Sequence, residues 1–318
     1  MKNTNLYKTF KNKKVIILGN TGFKGTWLTI FLLKLGANIF GISDRIPTNP
    51  SFFKKSKIKE KIVHTKLDIR NSIKLKKKID EIKPDFIFHL AAQSLVFDSI
   101  DDPKTTFETN ILGTANVLEC IRHFNHKCNV VIVTSDKCYL NKEKTSAYTE
   151  SDELGGKDPY SASKASAEII FSCYVNTFLK YNKNIKICTA RAGNVIGGGD
   201  WSANRLIPDL VRSVERKKEF VIRSPLSTRP WQHVLEPISG YVVLAHNLNK
   251  NKLKINHESF NFAPSKFKNI TVKKMINEIV KQWNEVNPIF LEDKYNSIES
   301  KLLQLNSSKA RDKLGWQS

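Results

Sequence analysis

Tyr160 stands four residues before Lys164, and Ser135-Asp136-Lys137 lies upstream of both. Residues at i and i+4 share one helical face. Pro159 suits the first position of a helix, so the phenol and the ammonium are expected to enter one site. A phenol with a pKa of about 10 is a poor base at neutral pH. A nearby ammonium, helped by a cationic nicotinamide, favours the phenolate and lowers that value. Ser135 closes the strand-like run Val130-Val131-Ile132-Val133-Thr134. That position suits a hydroxyl held against the oxygen that Tyr160 deprotonates. The trio points to alcohol oxidation by hydride transfer, and Asp136-Lys137 points to a second step after it. Lys137 can accept a proton only if burial or nearby cations lower its pKa. Otherwise it stabilises an enolate as a charge, and the sequence leaves both forms open. Tyr-x-x-x-Lys is common in helices, so this reading depends on a cofactor site elsewhere in the chain.

Such a site is expected near the N-terminus. Val15-Ile16-Ile17-Leu18 reads as a buried strand. Gly19-Asn20-Thr21-Gly22-Phe23-Lys24-Gly25 follows, then helical apolar spacing from Trp27 to Leu35, which Gly36 stops. Strand, glycine turn and helix are the context of a dinucleotide loop. Its glycines let backbone approach a pyrophosphate, and the helix start offers free N–H groups. The spacing is G-x-x-G-x-x-G rather than G-x-G-x-x-G. A second strand over Asn38–Asp44 places Asp44 where a carboxylate bonds the adenosine ribose, with Arg45 beside it leaving room for a 2′-phosphate. Leu67-Asp68-Ile69 reads as another strand end, with Asp68 near the adenine amine. Asp85 to Ala92 reads as a further strand ending in small residues. Strands and helices alternate to about Arg191, which predicts an α/β chain with a doubly wound parallel sheet, a Rossmann arrangement. The expected division is a dinucleotide-binding domain over 1–194, with a return of chain near 229–262. A smaller substrate-binding part takes 195–228 and 263–318.

The 318 residues fit that division, and no apolar run approaches a membrane span. The first fourteen residues are polar and lysine-rich, without the apolar core of a signal peptide. Cys120, Cys128, Cys138, Cys173 and Cys188 are odd in number and lack metal-ligand spacing. They fit reduced thiols in a cytoplasm, and no metal is expected. The net charge is +22, carried by 42 Lys and 10 Arg. Lysine is spread through the chain along with abundant Ile and Asn, which matches codon bias from an AT-rich genome. Nucleic acid is therefore not an expected partner, although RNA binding on a non-catalytic scaffold is the rival that the charge raises.

At the level of whole motifs the chain resembles the extended short-chain dehydrogenase/reductases, and within them the nucleotide-sugar 4,6-dehydratases, from about Lys14 to Trp316. The opening segment Gly19 to Leu28 resembles theirs, and His89-Leu90-Ala91-Ala92-Gln93-Ser94-Leu95-Val96 is similar to their third cofactor segment. Thr134 to Tyr139 resembles their catalytic strand end, with Ser135 where threonine is usual. Asp158 to Lys164 resembles their tyrosine helix. Arg191-Ala192-Gly193-Asn194-Val195-Ile196-Gly197-Gly198-Gly199-Asp200-Trp201 and Arg229-Pro230-Trp231-Gln232-His233-Val234 are the most specific matches. Asp136-Lys137 is similar to the type acting on CDP-glucose, whereas dTDP-glucose and GDP-mannose types carry Asp-Glu or Glu.

The resemblance implies NAD as a recycled cofactor and a 4-keto-6-deoxy sugar as product. NAD is then held by Gly19, Thr21, Gly22, Phe23, Lys24, Gly25, Asp44, Arg45, Asp68, Ile69, Leu90, Ala91, Ala92, Gln93 and Thr109, with Tyr160 and Lys164 at the nicotinamide ribose. Tyr160 takes the C4 hydroxyl proton, Ser135 holds that oxygen, Asp136 protonates the leaving C6 hydroxyl, and Lys137 belongs to the C5 step. Asn194, Arg205, Leu206, Arg212, Arg229, Gln232 and His233 are the expected substrate contacts, the arginines for phosphate oxygens. Identical subunits are expected to pair through Pro103–Phe124 and Tyr160–Leu179, as a dimer or tetramer. Relatives continue for some tens of residues beyond Gly315-Trp316, so a C-terminal helix or edge is expected to be missing. Two other departures are the absence of a histidine before Glu299, at Ile298, and Asn306 where aspartate is usual. A 4-epimerase, or a dehydratase of another nucleotide sugar, is the enzymatic rival, and Asp136-Lys137 argues against it.

Overall fold

The computed structural model describes residues 4–250, 255–264, 270–291 and 302–318. Eleven strands occur among them: β1 (Lys14–Leu18), β2 (Asn38–Ser43), β3 (Val63–Lys66), β4 (Phe86–His89), β5 (Cys128–Val133), β6 (Ile185–Ala192), β7 (Val195–Ile196), β8 (Phe220–Ile222), β9 (Gln232–His233), β10 (Ser259–Phe262) and β11 (Pro288–Phe290). Seven of them form one sheet in the order β10-β6-β5-β4-β1-β2-β3, and every pairing is parallel. This is the expected doubly wound α/β sheet. Its strand order reverses between β1 and β4, where ligands bind outside the carboxyl ends of strands in such sheets.

The central strands are largely apolar because both faces of the sheet are covered. Val15, Ile17, Phe86, Phe88, Val131 and Val133 face one layer, which includes helices Phe23–Lys34 and Leu235–Lys250. The intervening Ile16, Leu18, Ile87, Val130 and Ile132 face the other, built from helices Ser72–Ile82, Gly113–Arg122 and Pro159–Thr177. Each fully buried side chain of this size contributes about 1.5–3 kcal/mol.

A smaller apolar cluster joins Leu210, Phe220, Ile222, Val272, Ile276 and Val286 around the two-stranded β8–β11 pair. Helix Ser308–Leu314 does not belong with it. Ala310, Leu314 and Trp316 enter the large core instead, and Trp316 donates to Ser239 Oγ at 2.9 Å. Its ring meets Phe262 edge-on, with centroids 5.0 Å apart. This helix falls within the expected substrate part 263–318, but its apolar face has its partner on the sheet. The Asn306 side chain accepts from the Ser308 N–H at 2.8 Å, ahead of that helix. Ile298 and Glu299 lie outside the described residues.

Local boundaries follow side-chain chemistry. Pro159 is the first residue of its 19-residue helix, and the Asp158 carboxylate accepts from the Ser161 N–H at 2.9 Å. The expected Leu67–Ile69 strand falls just past β3, which ends at Lys66. No described helix is long and apolar enough to cross a membrane. The five cysteines are free, with only Cys173 exposed.

Candidate active site

The glycine turn after β1 sits at the switch point. Gly19 has φ +86° and packs against the backbone of Leu90 and Ala91 at the end of β4, where an added Cβ would lie 2.7 Å from the Ala91 nitrogen. A Cβ at Gly25 would collide with the Gly19 carbonyl, so turn and helix close tightly. Gly22 caps helix Phe23–Lys34 without a side-chain hydrogen bond, leaving the first turn's amides to a ligand. Thr21 Oγ1 donates to the Arg45 carbonyl at 2.6 Å and ties this turn to the end of β2. Asp44 and Arg45 are exposed there as a 3.8 Å ion pair. These features fit a dinucleotide with its pyrophosphate at the helix start and its ribose by Asp44. Asp68 is engaged otherwise. Burial pushes its carboxyl up, but hydrogen bonds and charge from Arg70 outweigh this and hold it below the usual range. Ile69 lies against Gly113.

The other half of the site is at the end of β5. The Ser135 hydroxyl donates to Asp136 Oδ1 at 2.9 Å and accepts from the Lys137 N–H at 3.2 Å. It also hydrogen-bonds Tyr160. Asp136 is 3% exposed, and its Oδ2 has no hydrogen-bond partner. Burial pushes its pKa up against the pull of Lys137, Ser135, Lys24 and Arg229. A carboxyl so placed is built to carry a proton. Ser135, Asp136 and Tyr160 thus lie together at the end of β5, and Lys164 stands one helical turn beyond Tyr160.

Tyr160 itself departs from expectation. Burial pushes its pKa up to about 12, with the Ser135 hydrogen bond opposing and Asp136 adding to the rise. Burial brings Lys164 down to about 8, against upward pulls from Cys138 and Glu168. In the chain alone, desolvation outweighs the expected depression of the phenol by its i+4 lysine.

Two residues that motif reading did not single out, Asn110 and Glu168, hold the catalytic helix. Asn110 lies in a π-turn (Glu108–Leu112) beside the expected Thr109. Its amide donates to the Gln93 carbonyl at 2.9 Å and to Ser163 Oγ at 2.8 Å, while its oxygen accepts from the Gln93 N–H at 2.8 Å. Glu168, one turn after Lys164, pairs with Arg191 at 2.7 Å in the interior, with side-chain exposures of 1% and 4%. Thr134 and Thr189 both donate to that carboxylate, at 2.5 and 2.9 Å. Tyr139 accepts from Arg191 and donates to Asn261.

The expected substrate residues fall into two groups. Arg205 pairs with Asp200 at 3.3 Å and acts electrostatically on Tyr160, and buried Arg229 does the same on Asp136. Arg205 precedes Leu206, the first residue of helix Leu206–Glu215, and Asn194 lies half-buried between β6 and β7. The others are used by the fold. Arg212 donates to the Trp201 and Ser202 carbonyls at 3.1 and 2.9 Å and pairs with Asp209. Gln232 donates to the Phe262 carbonyl at 3.1 Å. His233 is exposed, and its Nδ1 accepts from the Leu235 N–H at 3.2 Å. Among the described residues no cluster of His, Cys, Asp and Glu could hold a metal ion.

Comparison with known proteins gives a consistent picture. The chain is 41% identical over 311 residues to the CDP-glucose 4,6-dehydratase of Salmonella typhimurium, covering 96% of this chain and 86% of the relative. Its fold matches the epimerase Mth375 of Methanothermobacter thermautotrophicus with a TM-score of 0.84 at 22% identity, covering 98% of this chain and 89% of that one. It also matches the dTDP-glucose 4,6-dehydratase DesIV of Streptomyces venezuelae with a TM-score of 0.80 at 20% identity, covering 96% and 91%. The glycine turn at a switch point, the serine, aspartate and tyrosine gathered at β5, and a match of residues 16–318 to the GDP-mannose 4,6 dehydratase model together make this chain a member of that family.

Proposed function

We propose that the chain is an NAD-dependent nucleotide-sugar 4,6-dehydratase whose substrate is CDP-glucose. The observation that carries the reaction is Asp136, a buried carboxyl with a raised pKa and an unpartnered oxygen, joined through Ser135 to Tyr160. Simple alcohol oxidation or 4-epimerisation has no use for such an acid, whereas expelling a hydroxyl does. The cytidine assignment rests on Asp136-Lys137 and on the Salmonella relative.

A nicotinamide dinucleotide bound at the glycine turn supplies a cationic hydride acceptor for C4 and, once reduced, a hydride donor for C6. Gly19, Thr21, Gly22, Phe23, Gly25, Asp44, Leu90, Ala91, Ala92 and Gln93 are the residues to hold it, with Lys164 at its ribose. Tyr160 takes the C4 hydroxyl proton while Ser135 fixes that oxygen. The new ketone acidifies C5, and Asp136 protonates the C6 hydroxyl as it departs as water. Lys137 supplies positive charge beside Asp136. Arg205 and Arg229 receive the substrate's phosphate oxygens. The seven-stranded sheet with its layers acts as the cofactor domain, and the β8–β11 cluster as the substrate part.

The purified chain incubated with NAD and CDP-, dTDP-, UDP- or GDP-glucose, read by mass, tests this. Loss of one water from the cytidine sugar is expected. Water loss favouring another base overturns the cytidine assignment, and an isomer of unchanged mass overturns the dehydratase.

Two copies are proposed to pair through the helices that carry Leu112 and Ile169. These side chains are 57% and 56% exposed on neighbouring helices, with Phe107 and Phe178 also exposed. Wild type should sediment at twice 36.3 kDa or more, and Leu112→Glu with Ile169→Glu at the single-chain mass. A wild type that sediments as a single chain ends this reading.

A further inference from the structure

Three consecutive glycines, Gly197-Gly198-Gly199, carry the chain from β7 to the segment that bears Asp200 and Arg205. Glycines bring no side chains to fix such a run, so its path is set by what it rests on. The Trp27 indole, on helix Phe23–Lys34, donates from Nε1 to the Gly198 carbonyl at 3.0 Å. Gly199, at φ +92°, lies against the Phe52 ring, where an added Cβ would stand 2.5 Å from Cγ. Phe52 in turn meets the Trp27 ring, with centroids 5.0 Å apart. Gly197 is flanked by Val234 and the Phe23 ring. The segment beyond the glycines is held as well. Asp200 has a side chain only 7% exposed, accepts from the Ser202 N–H at 3.1 Å and pairs with Arg205 at 3.3 Å. Arg212 binds the Trp201 and Ser202 carbonyls. Arg205 uses one nitrogen on Asp200, and its others make no bond among the described residues. A guanidinium held at one corner, with its remaining N–H groups open, suits phosphate oxygens.

Resting on the substrate reading above, in which Arg205 receives phosphate oxygens, we propose that Trp27 is a positioning residue for the nucleotide sugar. Its indole N–H fixes the glycine run and so sets where Asp200 presents Arg205 to the diphosphate. Trp27 acts through that run and not by contact with substrate or cofactor. The hydrogen bond is directional, and it joins a helix to a backbone carbonyl two residues before Asp200. Without it Gly198 and Gly199 regain dihedral freedom, and Arg205 occupies its phosphate-binding position for a smaller fraction of the time. The loss therefore falls on affinity for the diphosphate and not on NAD, although Trp27 belongs to the helix that follows the cofactor turn.

Trp27→Phe keeps a ring against Phe52 and removes the indole N–H. The test is calorimetry with NAD and, separately, with CDP, dTDP, UDP and GDP, on wild type, Trp27→Phe, Arg205→Gln and the double variant. Four diphosphates in parallel score the choice of base, which belongs to the reading above, apart from the diphosphate contact. For the diphosphate that wild type binds most tightly, Trp27→Phe should weaken affinity about tenfold. NAD affinity should stay within about twofold. In the Arg205→Gln background the same substitution should cost nothing further, because the group it positions is gone. With the matching nucleotide sugar the loss should appear in KM, leaving kcat within about threefold. Gly199→Ala disturbs the same run at Phe52 and should repeat the pattern. Equal losses with and without Arg205 would show that Trp27 acts independently of it and overturn the proposal. Unchanged diphosphate affinity in Trp27→Phe and Gly199→Ala overturns it too, as does a parallel fall in NAD affinity, which marks a disturbed cofactor helix. An Arg205→Gln chain that binds diphosphate as tightly as wild type removes the phosphate contact itself, so the substrate reading fails first and takes this one with it.

Discussion

A Tyr160→Phe chain keeps its fold and loses turnover by about 1,000-fold or more. The substitution removes only the hydroxyl. The ring remains buried, and the helix is held by its backbone, since the Tyr160 N–H donates to Ser99 Oγ at 3.1 Å and its carbonyl accepts from Ser163 at 2.7 Å. Asp158 and Pro159 still open the helix. The chemical loss falls on the first step, because the phenol oxygen is the group assigned to the C4 proton. The phenol's pKa of about 12 in the chain alone also fixes a direction. Activity should increase as pH rises from neutral, and a bound nicotinamide cation should draw the limb downward. Unchanged melting by circular dichroism together with absent water loss is the expected pair of results. Turnover retained in a folded Tyr160→Phe sample would remove the basis for the proposed chemistry.

Glu168→Gln carries the second large effect, on stability. The wild-type carboxylate offsets the Arg191 charge in the interior, and the variant leaves a buried guanidinium without its counter-ion, which costs about 3–5 kcal/mol. Urea denaturation should register that loss. The acid side of the stability profile should change too. Burial pushes the Glu168 carboxyl up, but Arg191, Thr134 and Thr189 together hold it below its ordinary 4.5. A depressed folded value means stability fully present above about pH 4.5 and lost as pH falls through the folded value. This part of the acid loss should be absent from Glu168→Gln. Equal denaturation midpoints for the two proteins at neutral pH would show that the pair contributes nothing net. Activity should fall as well, since Glu168 lies on the helix that presents Tyr160 and Lys164.

The catalytic set was legible from sequence because its members sit at element ends, within short motifs. Ser135 and Asp136 follow a strand, Tyr160 and Lys164 are one helical turn apart, and the glycines follow β1 directly. The parallel sheet was legible for a related reason: its central strands are largely apolar, and helices separate them. What escaped notice depends on distance along the chain. Glu168 meets Thr134, Thr189, Arg191 and Ser259, which β5, β6 and β10 bring together only after folding. Asn110 reads as an ordinary helix residue until its amide is seen on the Gln93 backbone. Gln232, His233 and Arg212 also make bonds within the chain that their motifs did not foretell, to the Phe262 carbonyl, the Leu235 N–H and the Trp201 carbonyl.

Residues 310–316 complete the large core by covering Phe262 at the sheet's seventh strand. A nascent chain leaving the ribosome therefore cannot seal that face until residues 310–316 have emerged. The strands and helix Phe23–Lys34 of the same face are synthesised long before, so their apolar surface waits for this stretch, and chaperones have their longest opportunity there.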